Sequence, residues 1–135
     1  MSTKDKILLF IPGYNCEKQI VRVLGQLDEG ILSFLTRIIV VNNQSTDGTE
    51  EAVKSYLEEH PQVPITLLRN QDNYGLGGSH KTAFSYAINH NYDYVIVLHG
   101  DDQGDIHDMD RVLKKQLYKK YDCCLGGRFM RGSRL

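Results

Sequence analysis

Four short, largely apolar runs, separated from one another by helical patterns, constrain the fold of this chain more than any other feature. The runs occupy residues 7–11, 38–41, 65–68 and 94–98. Continuous apolar character predicts strands that are covered on both faces, and strands alternating with helices predict βαβ units around a parallel sheet. We therefore predict an α/β protein with three α/β/α layers and a mostly parallel, open, Rossmann-like sheet.

Helical patterns lie between these runs. Their apolar residues recur at helical spacing, and they are Ile20, Val23, Leu24 and Leu27, then Val53, Tyr56 and Leu57, then Ala83, Phe84, Ala87 and Ile88. Asn15 is the predicted N-cap of the first helix. Asp47 with Glu50 predicts a capping box for the second helix, which Pro61 ends. A glycine-rich loop over residues 70–79 precedes the third.

The length of 135 residues fits one domain, and 41% hydrophobic with 24% charged residues is typical of a globular protein. A fourth helix over 109–117 and a fifth strand over 123–125 complete the predicted pattern. No apolar run approaches the roughly 20 residues of a membrane-spanning helix, and the N-terminus does not read as a signal peptide. We therefore expect a cytoplasmic protein.

Charge is distributed unevenly along the chain. The formal net charge is −1, yet residues 111–135 contain eight basic residues and one acid. Such a segment is typical either of a solvated helix face with a polar tail or of a surface that meets phosphates or an anionic membrane. No basic stripe is interleaved with aromatic residues, so nucleic acid is not an expected partner. The three cysteines, two of them adjacent, form neither a disulfide framework nor a zinc spacing.

Polar segments follow three of the predicted strands at their carboxyl ends. They are residues 12–17, 42–49 and 99–105. In open parallel sheets, ligands bind outside these ends, near the point where the strand order reverses. We therefore expect the three segments to meet at one edge of the sheet.

The segment after the fourth strand places His99, Asp101, Asp102 and Asp105 within seven residues. Mg²⁺ uses one or two protein carboxylates and completes its shell with phosphates and water, and a bound cation neutralises the charge on a leaving diphosphate. The alternative explanation is that these acids cap the next helix, and we expect Asp105 to be the capping residue. Because three acids exceed what a cap requires, Asp101 is the predicted metal ligand.

The other two segments carry weaker signals. Tyr14 offers a ring on which a base can stack, and Asn15 and Glu17 offer polar groups beside it. Asn42 and Asn43 offer side-chain amides to a base or a ribose. Turn formation and helix capping are the alternative explanation for these residues. Neither segment identifies a function alone.

A glycine-rich segment, residues 73–81, leads into the third helix. Gly75 and Gly77 allow the backbone to approach a ligand closely, a helix N-terminus attracts phosphate, and Lys81 adds a positive charge. A dinucleotide-binding fingerprint would instead follow the first strand. The segment predicts either a diphosphate contact or a flexible start of the helix.

Taken in order, these segments resemble the family 2 inverting glycosyltransferases of the GT-A fold. The matching residues are 11–17, 40–49, Asn73, Gly75, Gly77, 98–103 and Gly126-Gly127-Arg128-Phe129. The resemblance covers nearly the whole chain, and four ordered motifs at family-like spacing are more specific than any one of them. Within the family, the chain is similar to the branch that transfers sugars to polyprenyl phosphates.

The resemblance implies roles for particular side chains. Pro12, Tyr14 and Glu17 would line the nucleotide base and ribose. Asn42 stands where the family usually has an aspartate that contacts the base, and an amide donates as well as accepts. The other residues expected to bind the nucleotide sugar are Asn15, Asn43, Ser45, Gly75, Gly77, Lys81 and Gln103.

The resemblance also implies a metal site after the fourth strand. Asp101 matches the second aspartate of the family's Asp-x-Asp metal motif, and His99 replaces the first. Histidine binds Mn²⁺ but is a poor ligand for Mg²⁺. Because His99 stands where the family has an aspartate, the choice between Mg²⁺ and Mn²⁺ as the cofactor stays open. Asp101 and Asp102 are the expected catalytic residues.

The implied reaction moves a sugar from a UDP- or GDP-linked donor to a glycan hydroxyl or a polyprenyl phosphate. Family members continue into an acceptor-binding part that usually supplies the catalytic base, so residues 1–135 are expected to be the donor-binding part alone. A nucleotide-sugar-binding module without turnover and a nucleotidyltransferase are the alternatives. Peripheral association with the inner face of the membrane and homo-oligomer formation are left open.

Overall fold

The computed structural model describes residues 5–70, 75–98 and Leu113, and strands and helices alternate within them as predicted. The elements are β1 (Ile7–Gly13), α1 (Glu17–Gly25), α2 (Glu29–Leu32), β2 (Arg37–Asn42), α3 (Thr49–Glu59), β3 (Ile65–Arg69), α4 (Gly75–Asn89) and β4 (Tyr94–Val97). Leu113 is helical, whereas the rest of the predicted fourth helix and the predicted fifth strand lie outside the described residues. Among the helices described, none combines the length and the apolar character needed to cross a bilayer.

The four strands form one parallel sheet in the order β3-β2-β1-β4. Gly13 at the end of β1 lies opposite Asn42 at the end of β2, and Phe10 lies opposite Val97 of β4. The chain runs outward from β1 to β3 and then returns to the other side of β1. The strand order therefore reverses between β1 and β4, where sheets of this kind form a ligand crevice. The predicted parallel, open α/β sheet is confirmed.

Each face of the sheet has its own core, because successive residues of a strand point to opposite faces. One core joins β1 and β2 to α1 and α3, and it includes Leu9, Ile11, Ile20, Val23, Leu24, Ile38, Val40, Val53 and Tyr56. The other joins the same strands to α4 through Leu8, Phe10, Ile39, Val41, Ala83 and Ala87. The apolar stripes predicted for α1 and α3 thus face the core.

The outer strands of the described sheet are less buried than β1 and β2. All residues of β1 are buried, whereas β3 and β4 are mostly of intermediate exposure, and Val97 remains 38% exposed. Among the described strands, β4 pairs only with β1. The burial predicted for the first two runs, residues 7–11 and 38–41, is therefore confirmed.

The third predicted helix differs from its prediction in start and orientation. α4 begins at Gly75, so residues 75–79, half of the predicted glycine-rich loop, are helical. Ala83 and Ala87 are buried as expected, but Phe84 and Ile88 are 45% and 74% exposed. The helix turns its two alanines to the sheet, and small side chains allow close packing there. Phe84 and Ile88 consequently point away from the core.

The predicted caps are shifted by one residue. Cys16, not Asn15, is the N-cap of α1, and Asn15 adopts a left-handed conformation with a φ of 48°. Gly48, not Asp47, is the N-cap of α3, although Asp47 Oδ1 still accepts from the Thr49 N–H over 3.0 Å. Asparagine and aspartate favour turns as well as caps, because their short side chains bond to nearby backbone. Both residues serve the turns that precede the helices.

Candidate functional site

The carboxyl ends of β1, β2 and β4 lie at one edge of the sheet. Beyond the paired residues Gly13 and Asn42, the N–H of Asn43 donates to the Gly13 carbonyl over 3.0 Å. On the other side of β1, the Leu98 N–H donates to the Phe10 carbonyl over 2.9 Å. The polar segments after β1 and β2 therefore start side by side, as predicted.

Hydrogen bonds among Asn15, Ser45 and Thr46, here called the β1–β2 clasp, hold the loops after β1 and β2 together. The Asn15 backbone N–H donates to Ser45 Oγ over 3.1 Å. Asn15 Oδ1 accepts from the Thr46 backbone N–H over 2.8 Å and from its hydroxyl over 3.3 Å. Asparagine adopts the left-handed conformation of this turn more readily than most residues. Two predicted ligand-binding residues, Asn15 and Ser45, thus shape the edge itself.

A second group of contacts ties the start of α1 to the start of α3. The buried Thr49 hydroxyl accepts from the Cys16 N–H over 2.9 Å and donates to Asp47 Oδ1. Asp47 Oδ2 accepts from the Glu17 N–H over 3.2 Å. Partial burial raises the pKa of Asp47, but hydrogen bonds from Thr49 and Glu17 outweigh burial and bring the pKa below its usual value. The carboxylate is therefore ionised at neutral pH.

Of the three residues expected around the base and ribose, two have accessible side chains. Tyr14 is 50% exposed, which leaves part of its ring accessible for stacking. Glu17 is exposed, and its carboxylate lies against Gly48, where a Cβ would clash with Glu17 Oε1. Pro12 is buried within β1.

Asn42 and Asn43 are almost fully buried, with 3% and 5% of their surface exposed. Asn42 Oδ1 accepts from the Ser45 N–H over 3.0 Å, and Asn43 Oδ1 accepts from Asn70 Nδ2 over 2.9 Å. A backbone N–H can only donate, so the Asn42 oxygen is fixed toward the loop. The side-chain oxygens of both residues therefore stabilise the carboxyl edge of the sheet.

Asn70 and Ser79, which are buried, and Thr82, which is of intermediate exposure, form a hydrogen-bonded group that was not predicted from the sequence. Asn70 Nδ2 donates to Ser79 Oγ over 3.2 Å, and Asn70 Oδ1 accepts from Thr82 Oγ1 over 3.1 Å. Asn70 and Ser79 are only 4% and 2% exposed. The available signal was positional, because Asn70 stands two residues beyond the third apolar run, close to its carboxyl end, as Asn43 does after the second run.

The glycine-rich segment contributes the start of α4 to the same edge. Gly75 and Gly77 lie in its first turn, and the exposed Lys81 lies in its second. The contact between Ser79 and Asn70, which follows β3, brings this end of the helix to the carboxyl edge. The positive end of the helix dipole therefore lies at the carboxyl edge, where it would favour an anionic group.

Glu50 does not form the predicted capping box. The N-cap of α3, Gly48, makes no side-chain cap bond. The Glu50 carboxylate instead lies 3.6 Å from Arg69 Nε and 3.7 Å from Lys54 Nζ. Both cations are mostly exposed, and ion pairs of this kind stabilise a fold only slightly.

The acidic segment after β4, which includes His99, Asp101, Asp102 and Gln103, lies outside the described residues. In the part of the chain that the structure describes, no three His, Cys, Asp or Glu side chains are grouped to hold a metal ion. The metal and catalytic residues therefore stay predictions from the sequence.

The fold and its polar edge define an α/β protein of the Rossmann-like class, with a crevice at the point where the strand order reverses. The family model described as Glycosyl transferase family 2 matches residues 9–134. This chain belongs to glycosyl transferase family 2. The resemblance inferred from its motifs is confirmed.

Two curated relatives are named for sugar transfer to lipid phosphates. The chain is 25% identical to undecaprenyl-phosphate mannosyltransferase of Micrococcus luteus, over 96% of this chain and 51% of that protein. It is 29% identical to dolichyl-phosphate beta-glucosyltransferase of Dictyostelium discoideum, over 80% of this chain and 35% of that protein. The chain thus spans about half, or less, of the length of these relatives.

Two solved structures share the fold. The mannosyltransferase PcManGT of Pyrobaculum calidifontis, in complex with GDP-Man and Mn²⁺, has a TM-score of 0.62 at 24% identity, over 74% of this chain and 28% of that one. TarS of S. aureus, in complex with UDP-GlcNAc, has a TM-score of 0.66 at 21% identity, over 87% of this chain and 32% of that one. The predicted GT-A fold is confirmed.

Proposed function

We propose that this chain binds a nucleotide diphosphate sugar at the carboxyl edge of its sheet and takes part in transferring the sugar to an acceptor. Membership of glycosyl transferase family 2 supports the reaction class. Relatives named for undecaprenyl and dolichyl phosphate support a polyprenyl phosphate as the acceptor. Structures of the same fold with GDP-Man and with UDP-GlcNAc leave the base of the donor open.

The β1–β2 clasp is the observation that carries this proposal. It joins Asn15 to Ser45 and Thr46, across about 30 residues of sequence, beside the half-exposed ring of Tyr14. A base stacked on Tyr14 would lie over two loops that are already fixed to each other. Binding to a preformed surface requires little ordering of the protein.

The acidic segment is the proposed metal site. Asp101 and Asp102 supply carboxylate oxygens, which suit both Mg²⁺ and Mn²⁺, and His99 supplies an imidazole, which favours Mn²⁺. When bound, such an ion neutralises the charge that develops on the departing diphosphate. The Mn²⁺ in a structure of the same fold supports a divalent cation without deciding between the two.

The proposed transfer is a single displacement at the anomeric carbon. An acceptor oxygen forms a bond to this carbon from one side while the bond to the diphosphate oxygen breaks on the other, and the nucleotide diphosphate leaves with the bonding electrons. A lipid phosphate is largely ionised at neutral pH, so it needs no strong base to attack. We propose that residues 1–135 supply the donor-binding part of this reaction.

Calorimetric titration with UDP and GDP, with and without Mn²⁺, tests the proposal. We expect Mn²⁺-dependent binding of at least one nucleotide, and loss of the Mn²⁺ dependence in Asp101→Asn. Asp28→Asn is the matched control, because it makes the same chemical change at the N-cap of α2, where asparagine caps equally well. Absence of nucleotide binding, or Asp101→Asn behaving like Asp28→Asn, would contradict the proposal.

Incubation with GDP-mannose, UDP-glucose or UDP-GlcNAc and a short polyprenyl phosphate then tests turnover. Release of nucleotide diphosphate together with a glycosylated lipid supports transfer. Measurable transfer by residues 1–135 would exclude a binding module without turnover.

A further inference from the structure

Asn70 connects β3 to the loop after β2 through its main chain. It lies directly after β3 and is 4% exposed. Its N–H donates to the Asn42 carbonyl over 2.9 Å, which extends the pairing of the two strands by one residue. Its carbonyl accepts from Gln44 Nε2. Gln44 has a φ of 60°, a left-handed conformation that glutamine rarely adopts, so this contact holds an unfavourable turn in place.

The side chain of Asn70 makes three further hydrogen bonds. Nδ2 donates to Asn43 Oδ1 over 2.9 Å and to Ser79 Oγ over 3.2 Å. Oδ1 accepts from Thr82 Oγ1 over 3.1 Å. Both amide hydrogens and the oxygen are therefore in use, and among short side chains only asparagine offers two donors and an acceptor together.

These contacts join two parts of the carboxyl edge. Asn42 ends β2 and Asn43 and Gln44 begin the loop after it, whereas Ser79 and Thr82 belong to the second turn of α4. The loop is proposed to face the base, and the start of α4 is proposed to face the diphosphate. Asn70 is bonded to both, so its position determines how far apart they lie.

We propose that Asn70 is a positioning residue that fixes the start of α4 relative to the loop after β2, and thereby the spacing of the base and diphosphate subsites. The inference rests on the proposed function. The covalent structure of a nucleotide diphosphate limits the distance between its base and its phosphates to a narrow range. A site that binds both ends must hold them within a fraction of an ångström, and small misplacements weaken binding strongly.

The dissociation constants of UDP and GDP with Mn²⁺, measured for wild type, Asn70→Ala, Ser79→Ala and the double variant, test the inference. We expect Asn70→Ala to raise the dissociation constant at least about tenfold and Ser79→Ala to raise it less. The double variant should bind as Asn70→Ala does, because both changes act on one network. Each measurement is made where the variant is fully folded.

Val53→Ala is the control for general loss of stability. Val53 is fully buried on the opposite face of the sheet, and its truncation should lower stability while leaving the dissociation constant within about twofold of wild type. A residue that only stabilises the fold would behave like Val53 in this comparison.

Two outcomes overturn the inference while the proposed function stands. The first is that wild type binds a nucleotide and the dissociation constant of Asn70→Ala lies within about twofold of the wild-type value. The second is that the effects of Asn70→Ala and Ser79→Ala on the dissociation constant add up in the double variant. If wild type binds neither nucleotide, the proposed function fails and this inference fails with it. If Asn70→Ala does not fold, Ser79→Ala and Thr82→Val each remove one of the bonds, and unchanged dissociation constants in both would overturn the inference.

Discussion

Asn15 Oδ1 accepts a hydrogen bond from the Thr46 backbone N–H over 2.8 Å, and this bond connects the loops that follow β1 and β2. Main-chain pairing alone ends near Gly13 and Asn43, so the loops beyond these residues need side chains to hold them together. The contact stabilises the fold and also holds two loops of the proposed nucleotide site together. Its removal should therefore affect stability and nucleotide binding together.

Asn15→Ala tests the clasp directly. Alanine removes the acceptor and tolerates the left-handed conformation poorly, so we expect a loss of about 2 kcal/mol in the free energy of unfolding. Asn15→Asp retains an acceptor oxygen and should remain within about 0.5 kcal/mol of wild type. Urea denaturation measures both. Equal losses in the two variants would show that the Thr46 contact is not what stabilises this turn.

Thr49→Val tests the link between α1 and α3. Valine has the same shape but no hydroxyl, so the buried N–H of Cys16 loses its acceptor, which costs about 1–3 kcal/mol. Thr49→Ser retains the hydroxyl and is the matched control. Hydrogen exchange at the Cys16 amide should accelerate in Thr49→Val and change little in Thr49→Ser. Protection of this amide in both variants would contradict the assigned bond.

Asp47 makes the stability depend on pH in a defined direction. Hydrogen bonds from Thr49 and Glu17 bring its pKa in the folded protein below the ordinary value of 3.8. The stabilisation that Asp47 provides is therefore complete above its pKa in the unfolded chain. This stabilisation is lost as the pH falls through its pKa in the folded protein. The difference in unfolding free energy between wild type and Asp47→Asn should be constant from about pH 7 to pH 5 and shrink below about pH 4. A difference that grows on acidification would contradict this assignment.

Ile20 and Ile88 allow the same substitution to be compared at opposite exposures. Ile20 in α1 is fully buried, whereas Ile88 in α4 is 74% exposed. Ile20→Ala should cost about 2–5 kcal/mol, and Ile88→Ala should cost less than about 1 kcal/mol. Thermal or urea unfolding measures both. Similar losses at the two positions would mean that Ile88 is covered in the folded protein.

The sequence predicts the layers, the parallel sheet and the polar edge, because each depends on the alternation of short apolar runs with helical spacing. The sequence does not predict which face of α4 packs against the sheet. Ala83 and Phe84 are adjacent, and helical periodicity admits a stripe through either. The packing of α4 against the already formed sheet selects the alanines, and this is a tertiary effect that single-sequence patterns do not contain.

The sequence predicts which residues lie at the candidate site, but it does not predict their hydrogen-bond partners. Asn15, Asn42 and Asp47 are recognisable as polar residues beyond strands, yet whether each caps a helix or bridges two loops depends on the neighbouring strand. Asn70 shows the same limit, since its partners Ser79 and Thr82 lie on a helix that was expected to start later. The short helix α2, capped by Asp28, spans only four residues and was too brief to predict from spacing.

Paramagnetic broadening by Mn²⁺ in the amide spectrum of the labelled protein is the most direct test that a metal-bound nucleotide lies at the carboxyl edge. With UDP or GDP present, we expect Mn²⁺ to broaden the amides of Tyr14, Asn15 and Ser45. Amides at the opposite edge, such as Ile31 and Asn91, should stay sharp, and Mg²⁺ should broaden neither group. Broadening centred on Ile31 and Asn91, or no broadening that depends on nucleotide, would contradict the account.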